Sequence, residues 1–234
     1  MKIKIASENS VILYFSNDIS KETSLIVKNA YKILKSKNNK ALIEIVPSYN
    51  SILVTYDIFI FDYMGIEKYL NDCLKNIKSE EERDENIINI INIDVYYGEE
   101  VGLDLQRISD ITKISIDEII KKHSSKIYDV YAMGFLPGFA FMASVDESIS
   151  VSRLETPRKK IPKGSVAIAN NQTAIYPKDS PGGWNIIGST TFELFDKNLE
   201  NLSPLTIESK IKFNPISKEE FISQGGILWV VLKL

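Results

Sequence analysis

The sequence predicts an α+β N-terminal domain of ferredoxin-like order over residues 1–90, followed by a mainly-β barrel with helical additions over residues 91–234. Three observations predict it. Strand and helix patterns alternate as β-α-β-β-α-β up to about Tyr96, the order of a split βαβ unit. From Lys126 onward the pattern becomes a series of short β-type runs separated by turns. Residues 134–188 hold 6 of the 11 glycines and 5 of the 8 prolines, and such dense punctuation marks shaped turns between strands.

The N-terminal elements follow in order. Val11–Phe15 reads as a strand that can pair with Ile3–Ile5. Asp18 or Ser20 can cap a helix running to about Lys37, with Leu25, Ala30, Tyr31 and Leu34 on its apolar face. Leu42–Val46 and Ser51–Tyr56 are β runs, and the tight Pro47–Asn50 link favours their pairing. A helix from about Ile66 to Lys78 follows, then a charged loop over Lys78–Glu85 and a strand over Ile87–Tyr96, which can belong to either domain.

In the second part, Leu103–Thr112 and Ser115–His123 read as short helices, the latter opened by a capping box from Ser115 to Glu118. The strands expected next are Tyr128–Met133, Ser165–Ala169, Thr173–Tyr176, Asn185–Ile187, Thr191–Phe195, Thr206–Phe213 and Ile227–Leu234, with one more helix over Ser217–Ser223.

Composition limits the function classes. The 234 residues are 44% hydrophobic and 25% charged, which suits an ordinary globular protein with a real core. A net charge of −3 argues against a general nucleic-acid or anionic-membrane binder. The start, MKIKIASENS, has no apolar signal region and no run approaches the length of a membrane helix, so a cytoplasmic location is expected. Cys73 alone excludes an internal disulfide and a cysteine zinc cluster, and its helical apolar neighbours mark it as core filler. Between Arg153 and Lys178, six Lys/Arg face only Glu155, which reads either as a solvated basic face or as a site for a small anion.

No Walker A loop, no nucleophile elbow and no metal-ligand set is present. What remains is a polar and aromatic group among the turns: Arg158, Lys163, Gln172, Thr173, Tyr176, Ser180 and Trp184. Arg158 offers a planar fork suited to a carboxylate, or pairs with Glu155 or a surface acid. Gln172 and Thr173 open a strand and can read an amide or carboxylate edge. Trp184 can cover a flat ligand or simply fill the core. The turn Ser180-Pro181-Gly182-Gly183 can form an anion nest, although Pro181 donates nothing. His123, the only histidine, is either a helix-terminal residue that favours the dipole or a general base.

Taken together, Gly134-Phe135-Leu136-Pro137-Gly138-Phe139, Thr156-Pro157-Arg158, Pro162–Ala169, Gln172-Thr173, Ile175-Tyr176-Pro177 and Ser180–Trp184 resemble the B subunit of the bacterial 5-oxoprolinases. That family includes the sporulation kinase inhibitor KipI and has been labelled allophanate hydrolase subunit 1. His123-Ser124, Tyr131 and Pro47-Ser48-Tyr49 extend the resemblance over nearly the whole chain. It implies a ferredoxin-like domain followed by a cyclophilin-like barrel. It also implies action with homologues of the A and C subunits of that enzyme to open 5-oxo-L-proline to L-glutamate with ATP. ATP would be shared with or held by a partner. The resemblance implies catalytic roles for His123 and Arg158, with Phe135, Pro137, Gly138, Lys163, Gln172, Thr173, Tyr176, Ser180, Gly183 and Trp184 binding substrate. Asn170-Asn171, Ala174, Ser189 and Ala140–Ser144 depart from the family pattern and point either to a narrower pocket or to weaker anion binding. Two other roles stay open: a KipI-like inhibitor of a sensor histidine kinase, and a carboxyltransferase-like module of an allophanate system.

Overall fold

Apolar side chains at every second residue build the first sheet. The structure, a computed structural model, describes residues 1–77, 90–198 and 202–229. The chain divides into two compact units, Met1–Ile87 and Ile88–Leu234. The first opens with a hairpin of β1 (Lys2–Ser7) and β2 (Ser10–Tyr14), then α1 (Lys21–Ser36), β3 (Leu42–Ser48), β4 (Ser51–Tyr56) and α2 (Tyr63–Leu74). Its strands lie antiparallel in the order β1-β2-β4-β3.

Val11 and Leu13 of β2 and Ile52, Val54 and Tyr56 of β4 turn to one face. Onto it pack Val27, Ala30 and Leu34 of α1 and Ile66, Leu70 and Leu74 of α2, spaced three and four apart as a helix stripe requires. Each such aliphatic side chain contributes about 1.5–3 kcal/mol when fully buried. Ser20 caps α1 through the Thr23 N–H at 3.1 Å, and Asp62 caps α2 through the Gly65 N–H at 2.7 Å. That aspartate starts α2 at Tyr63 rather than Ile66. Cys73 sits half-buried against this core.

The second unit comprises β5 (Ile90–Val95), α3 (Leu105–Thr112), α4 (Ile116–Ser125), β6 (Ile127–Met133), β7 (Ala140–Ala143), β8 (Arg158–Ile161), β9 (Ser165–Ala169), β10 (Gln172–Ile175), β11 (Ser180–Gly182), β12 (Asn185–Ser189), β13 (Lys210–Pro215) and α5 (Lys218–Ser223). Seven strands run β5-β13-β6-β7-β10-β9-β12, and only β5 with β13 is parallel. The two ends meet. Tyr96, just after β5, and Ser189 of β12 exchange both backbone hydrogen bonds at 2.9 Å. The sheet is thus a closed ring, which removes its edges. Gly188 lies at this seam, where a Cβ would stand 2.7 Å from the Tyr96 carbonyl oxygen. A separate ribbon pairs β8 with β11. The whole is a mixed α/β protein dominated by antiparallel sheet.

Several expectations change. The strand over Ile87–Tyr96, open to either domain from sequence, forms as β5 and pairs with β13 of the second unit, while β1 pairs with β2 as the sequence allows. Thr191–Phe195 forms no strand, because Thr190 turns its hydroxyl onto the Phe192 N–H at 3.1 Å and starts a side-chain-stabilised turn. The reciprocal capping box expected at Ser115 is only half made: Ser115 accepts from the Glu118 N–H, but Glu118 turns to Lys121. A complete box forms instead at Ser217 and Glu220. Residues 227–229 form no strand, and the rest of that run lies outside the described residues, as does the charged loop over Lys78–Glu85.

Candidate functional site

Arg158 stands on β8, and its guanidinium reaches α3's start rather than solvent. Its two terminal nitrogens donate to Asp104 Oδ2 at 2.9 Å and Oδ1 at 2.8 Å. Asp104 is almost wholly buried, and its Oδ2 also accepts the Ile186 backbone N–H at 2.7 Å. Three fixed donors therefore hold one carboxylate, and α3, β8 and β12 are tied at one point. Beside it Arg107 donates to Asn185 Oδ1 at 2.5 Å, while the Asn185 amide donates to Ser152 O and Ile168 O. Both arginines meet acceptors of their own chain, so the fork expected to take a substrate carboxylate is already occupied. The Glu155 pairing considered from sequence does not form.

His123 ends α4 with no solvent exposure. Its Nε2 lies 2.9 Å from Thr173 Oγ1 and its Nδ1 2.8 Å from the Tyr97 hydroxyl. The directions follow from donor counting. Thr173 has one hydroxyl hydrogen, which it donates to Ala167 O at 3.1 Å. It must therefore accept from Nε2–H, leaving Nδ1 to accept from Tyr97. The result is a one-way chain from Tyr97 through His123 and Thr173 to a backbone carbonyl. The ring also stacks on Phe213 at 4.7 Å. Burial alone drops the His123 pKa to about 3, so the imidazole is neutral. His123 and Thr173, expected as base and substrate binder, are both placed in the core with their polar atoms engaged.

Phe139, Tyr176 and Trp184 fill the space beneath the turns. Phe139 meets Tyr176 at 5.4 Å and Trp184 at 6.0 Å, both edge-on. All three are buried with Ile161, Ala167, Ala174 and Ile186. Burial pushes the Tyr176 phenol up to about 12, against smaller opposing pulls from the Trp184 backbone, Arg153 and Arg158. Trp184 is thus core, and its outer face carries the Arg153 guanidinium at 5.7 Å. Gly138 is buried too. Its φ is +83°, and a Cβ there would stand 2.2 Å from the Leu194 carbonyl oxygen. Phe135 and Pro137 of the same turn face outward.

Three of the six cations of the basic run, Arg158 among them, pair with acids from elsewhere in the chain. Lys160 pairs with Asp179 at 2.8 Å, and Lys163 sets Nζ on both Glu193 oxygens at 2.6 and 2.8 Å. Gly183 uses its carbonyl to accept from the Leu154 N–H. Two polar side chains of the expected set remain uncommitted. Gln172 is half-buried, and its amide bonds to no other described residue. Ser180 Oγ is buried without a partner. No group of three or more His, Cys, Asp or Glu able to hold a metal occurs among the described residues. Sequence reading missed Asp104, Asn185 and Tyr97. The only signal for Asp104 was its position just ahead of an amphipathic helix, and it makes no side-chain cap there.

The sequence profile of the carboxyltransferase domain, subdomain C and D, matches residues 1–205. The chain is 31% identical over 228 residues to the 5-oxoprolinase B subunit of Bacillus subtilis, covering 94% of this chain and 95% of that protein. The chain belongs to the 5-oxoprolinase B-subunit family. The family's Haemophilus influenzae member is 34% identical over 177 residues, 76% of this chain and 81% of that one. Among solved structures, TTHA0988 superposes with a TM-score of 0.77 at 28% identity over 89% of this chain, which spans 40% of that protein's length. Urea carboxylase from Kluyveromyces lactis shares the fold, with a TM-score of 0.72 at 15% identity over 94% of this chain and 22% of that one. Among the described residues, no helix is long and apolar enough to cross a membrane.

Proposed function

We propose that this chain is the B subunit of a cytoplasmic, ATP-dependent 5-oxoprolinase that opens 5-oxo-L-proline to L-glutamate with homologues of the A and C subunits. The observation that carries the reading is the match to the Bacillus subtilis 5-oxoprolinase B subunit over 95% of that protein. In this reading the first unit is ferredoxin-like, in keeping with its β2-β4-β3 order and two helices, and the second is a cyclophilin-like barrel, in keeping with its closed ring.

A lactam is a poor electrophile, and ATP supplies activation of the amide oxygen ahead of attack by water. We assign ATP to a partner subunit. Arg158, Lys160 and Lys163 are each paired with a carboxylate of their own chain, so these three cations are already engaged. This chain contributes a shaped wall. Gln172, half-buried with an uncommitted amide, is the side chain we assign to reading the lactam amide or carboxylate, while the Ser180 hydroxyl is buried without a partner. The Asp104–Arg158 pair and the Tyr97–His123–Thr173 chain position the strands that carry them. Reacting groups come from a second chain.

The test is ATP-dependent glutamate formation from 5-oxoproline by the three purified subunits. Omitting this chain abolishes it; activity that persists without it contradicts the proposal.

A further inference from the structure

Among the described residues, Arg107 and Arg158 donate to Asn185 and Asp104, while Arg153 donates to no acceptor and pairs with no acid. Arg153 is exposed, yet its place is set. Its Cζ stands 5.7 Å from the centre of the Trp184 ring. An aromatic face steadies a guanidinium through its charge and leaves the N–H edge open. The backbone on either side is fastened as well. Val151 O takes the Asn170 N–H at 2.6 Å, Ser152 O takes the Asn185 side-chain amide at 2.9 Å, and the Leu154 N–H donates to Gly183 O at 2.7 Å. A cation fixed before its ligand arrives loses little freedom on binding.

The same indole connects Arg153 to Gln172. Gln172 of β10 lies opposite Ala143 of β7 and Ala169 of β9, and residues directly opposite share a face of the sheet. Alternation puts Ala174 on that face too. Ala169 and Ala174 pack in the cluster that contains Trp184. Phe141, two residues before Ala143 on β7, meets Trp184 at 6.0 Å and is only partly buried. Gln172 thus stands on the face that Trp184 covers, between two alanines and near an aromatic wall, and Arg153 lies on the outer side of Trp184.

This combination narrows the ligand. A guanidinium fork suits a carboxylate. A neutral side-chain amide offers a donor group and an acceptor, the complement of a lactam C=O and N–H. Alanine and phenylalanine suit methylene groups. In 5-oxoproline the carboxylate is carried by the carbon next to the lactam nitrogen, and two methylenes complete the ring.

We infer that Arg153 is the residue that takes the carboxylate of 5-oxoproline and sets specificity for it, with Gln172 reading the lactam amide of the same molecule. The inference rests on the proposed enzyme role.

The experiment measures steady-state kinetics of the three-subunit mixture carrying wild type, Arg153→Gln or Arg153→Lys, with 5-oxoproline and ATP varied in turn. Arg153→Gln raises the KM for 5-oxoproline about tenfold or more, with kcat within about threefold and the KM for ATP within about twofold. Arg153→Lys gives a smaller rise, because an ammonium keeps the charge and loses the fork. An exposed cation over a ring contributes little to folding, so both variants melt with the wild type. If the wild type is active and Arg153→Gln keeps its KM for 5-oxoproline, the inference falls and the enzyme role stands. A rise in the KM for ATP instead would assign the cation to phosphate, and kinetics restored by excess partner subunit would assign it to assembly; either overturns the inference. If the wild-type mixture forms no glutamate, both fall.

Discussion

Arg158 grips Asp104 with both terminal nitrogens across 54 positions of sequence, and the same carboxylate holds the Ile186 N–H. The arginine that the family signature presents as a ligand fork is a fastener of the barrel. Removing one partner leaves a charge with no counter-ion at the foot of α3. Asp104→Ala and Arg158→Ala should each lower stability by about 3 kcal/mol in urea unfolding. The double variant should cost clearly less than the sum, and Arg158→Lys should not restore the loss, because an ammonium cannot bridge both oxygens. Additive losses would show that the pair does not couple.

His123 makes stability depend on pH in a defined direction. Its pKa falls from an ordinary value near 6.5 to about 3 on folding, so the folded protein excludes a proton that the unfolded chain binds. The contribution is fully present above about pH 6.5 and is lost as pH falls toward 3, at about 1.4 kcal/mol per pH unit. In thermal unfolding between pH 6.5 and 4.5, the wild type should lose stability more steeply than His123→Gln. Parallel curves would mean that the histidine is not held neutral.

Gly138 and Gly183 should behave oppositely despite lying in the same signature. Alanine at 138 meets the Leu194 carbonyl in a positive-φ turn, whereas a Cβ at 183 finds its nearest atom 3.5 Å away. Gly138→Ala should lose about 2 kcal/mol or more, and Gly183→Ala less than about 1 kcal/mol, in the same unfolding assay.

Gln172 and Ser180 provide the test of the ligand wall. Ser180→Ala removes a buried hydroxyl that has no partner, so stability should hold or rise slightly. In the reconstituted complex, Gln172→Ala should raise the KM for 5-oxoproline several-fold, while Ser180→Ala, which removes only a buried hydroxyl, should leave it within about twofold. An unchanged KM in Gln172→Ala would remove that residue from the site.

The fold was legible wherever local pattern decides it. Alternation in β2 and β4, the Ser20 cap and the three-and-four spacing of α1 all carry their structure in neighbouring residues. Pairing across the chain was not legible. Nothing near Ile90–Val95 indicates that its partner is β13, 120 positions away, because a parallel register is set by the folded barrel. The ribbon of β8 and β11 also escaped notice, since its Pro and Gly read as turn. In the signature segment, residue type alone did not show what each side chain meets. Arg158, Lys163 and His123 have chemistry that suits a site, and their partners Asp104, Glu193, Tyr97 and Thr173 come from 26 to 54 residues away.

The most direct measurement is a titration of this chain into fixed amounts of the homologous A and C subunits, following glutamate release and ATP consumption together. Both rates should be negligible at the start, rise with added chain, and level off when the partners are saturated. A rate that does not depend on the added chain, or one that this chain sustains with no partner present, would contradict a wall that another subunit must complete.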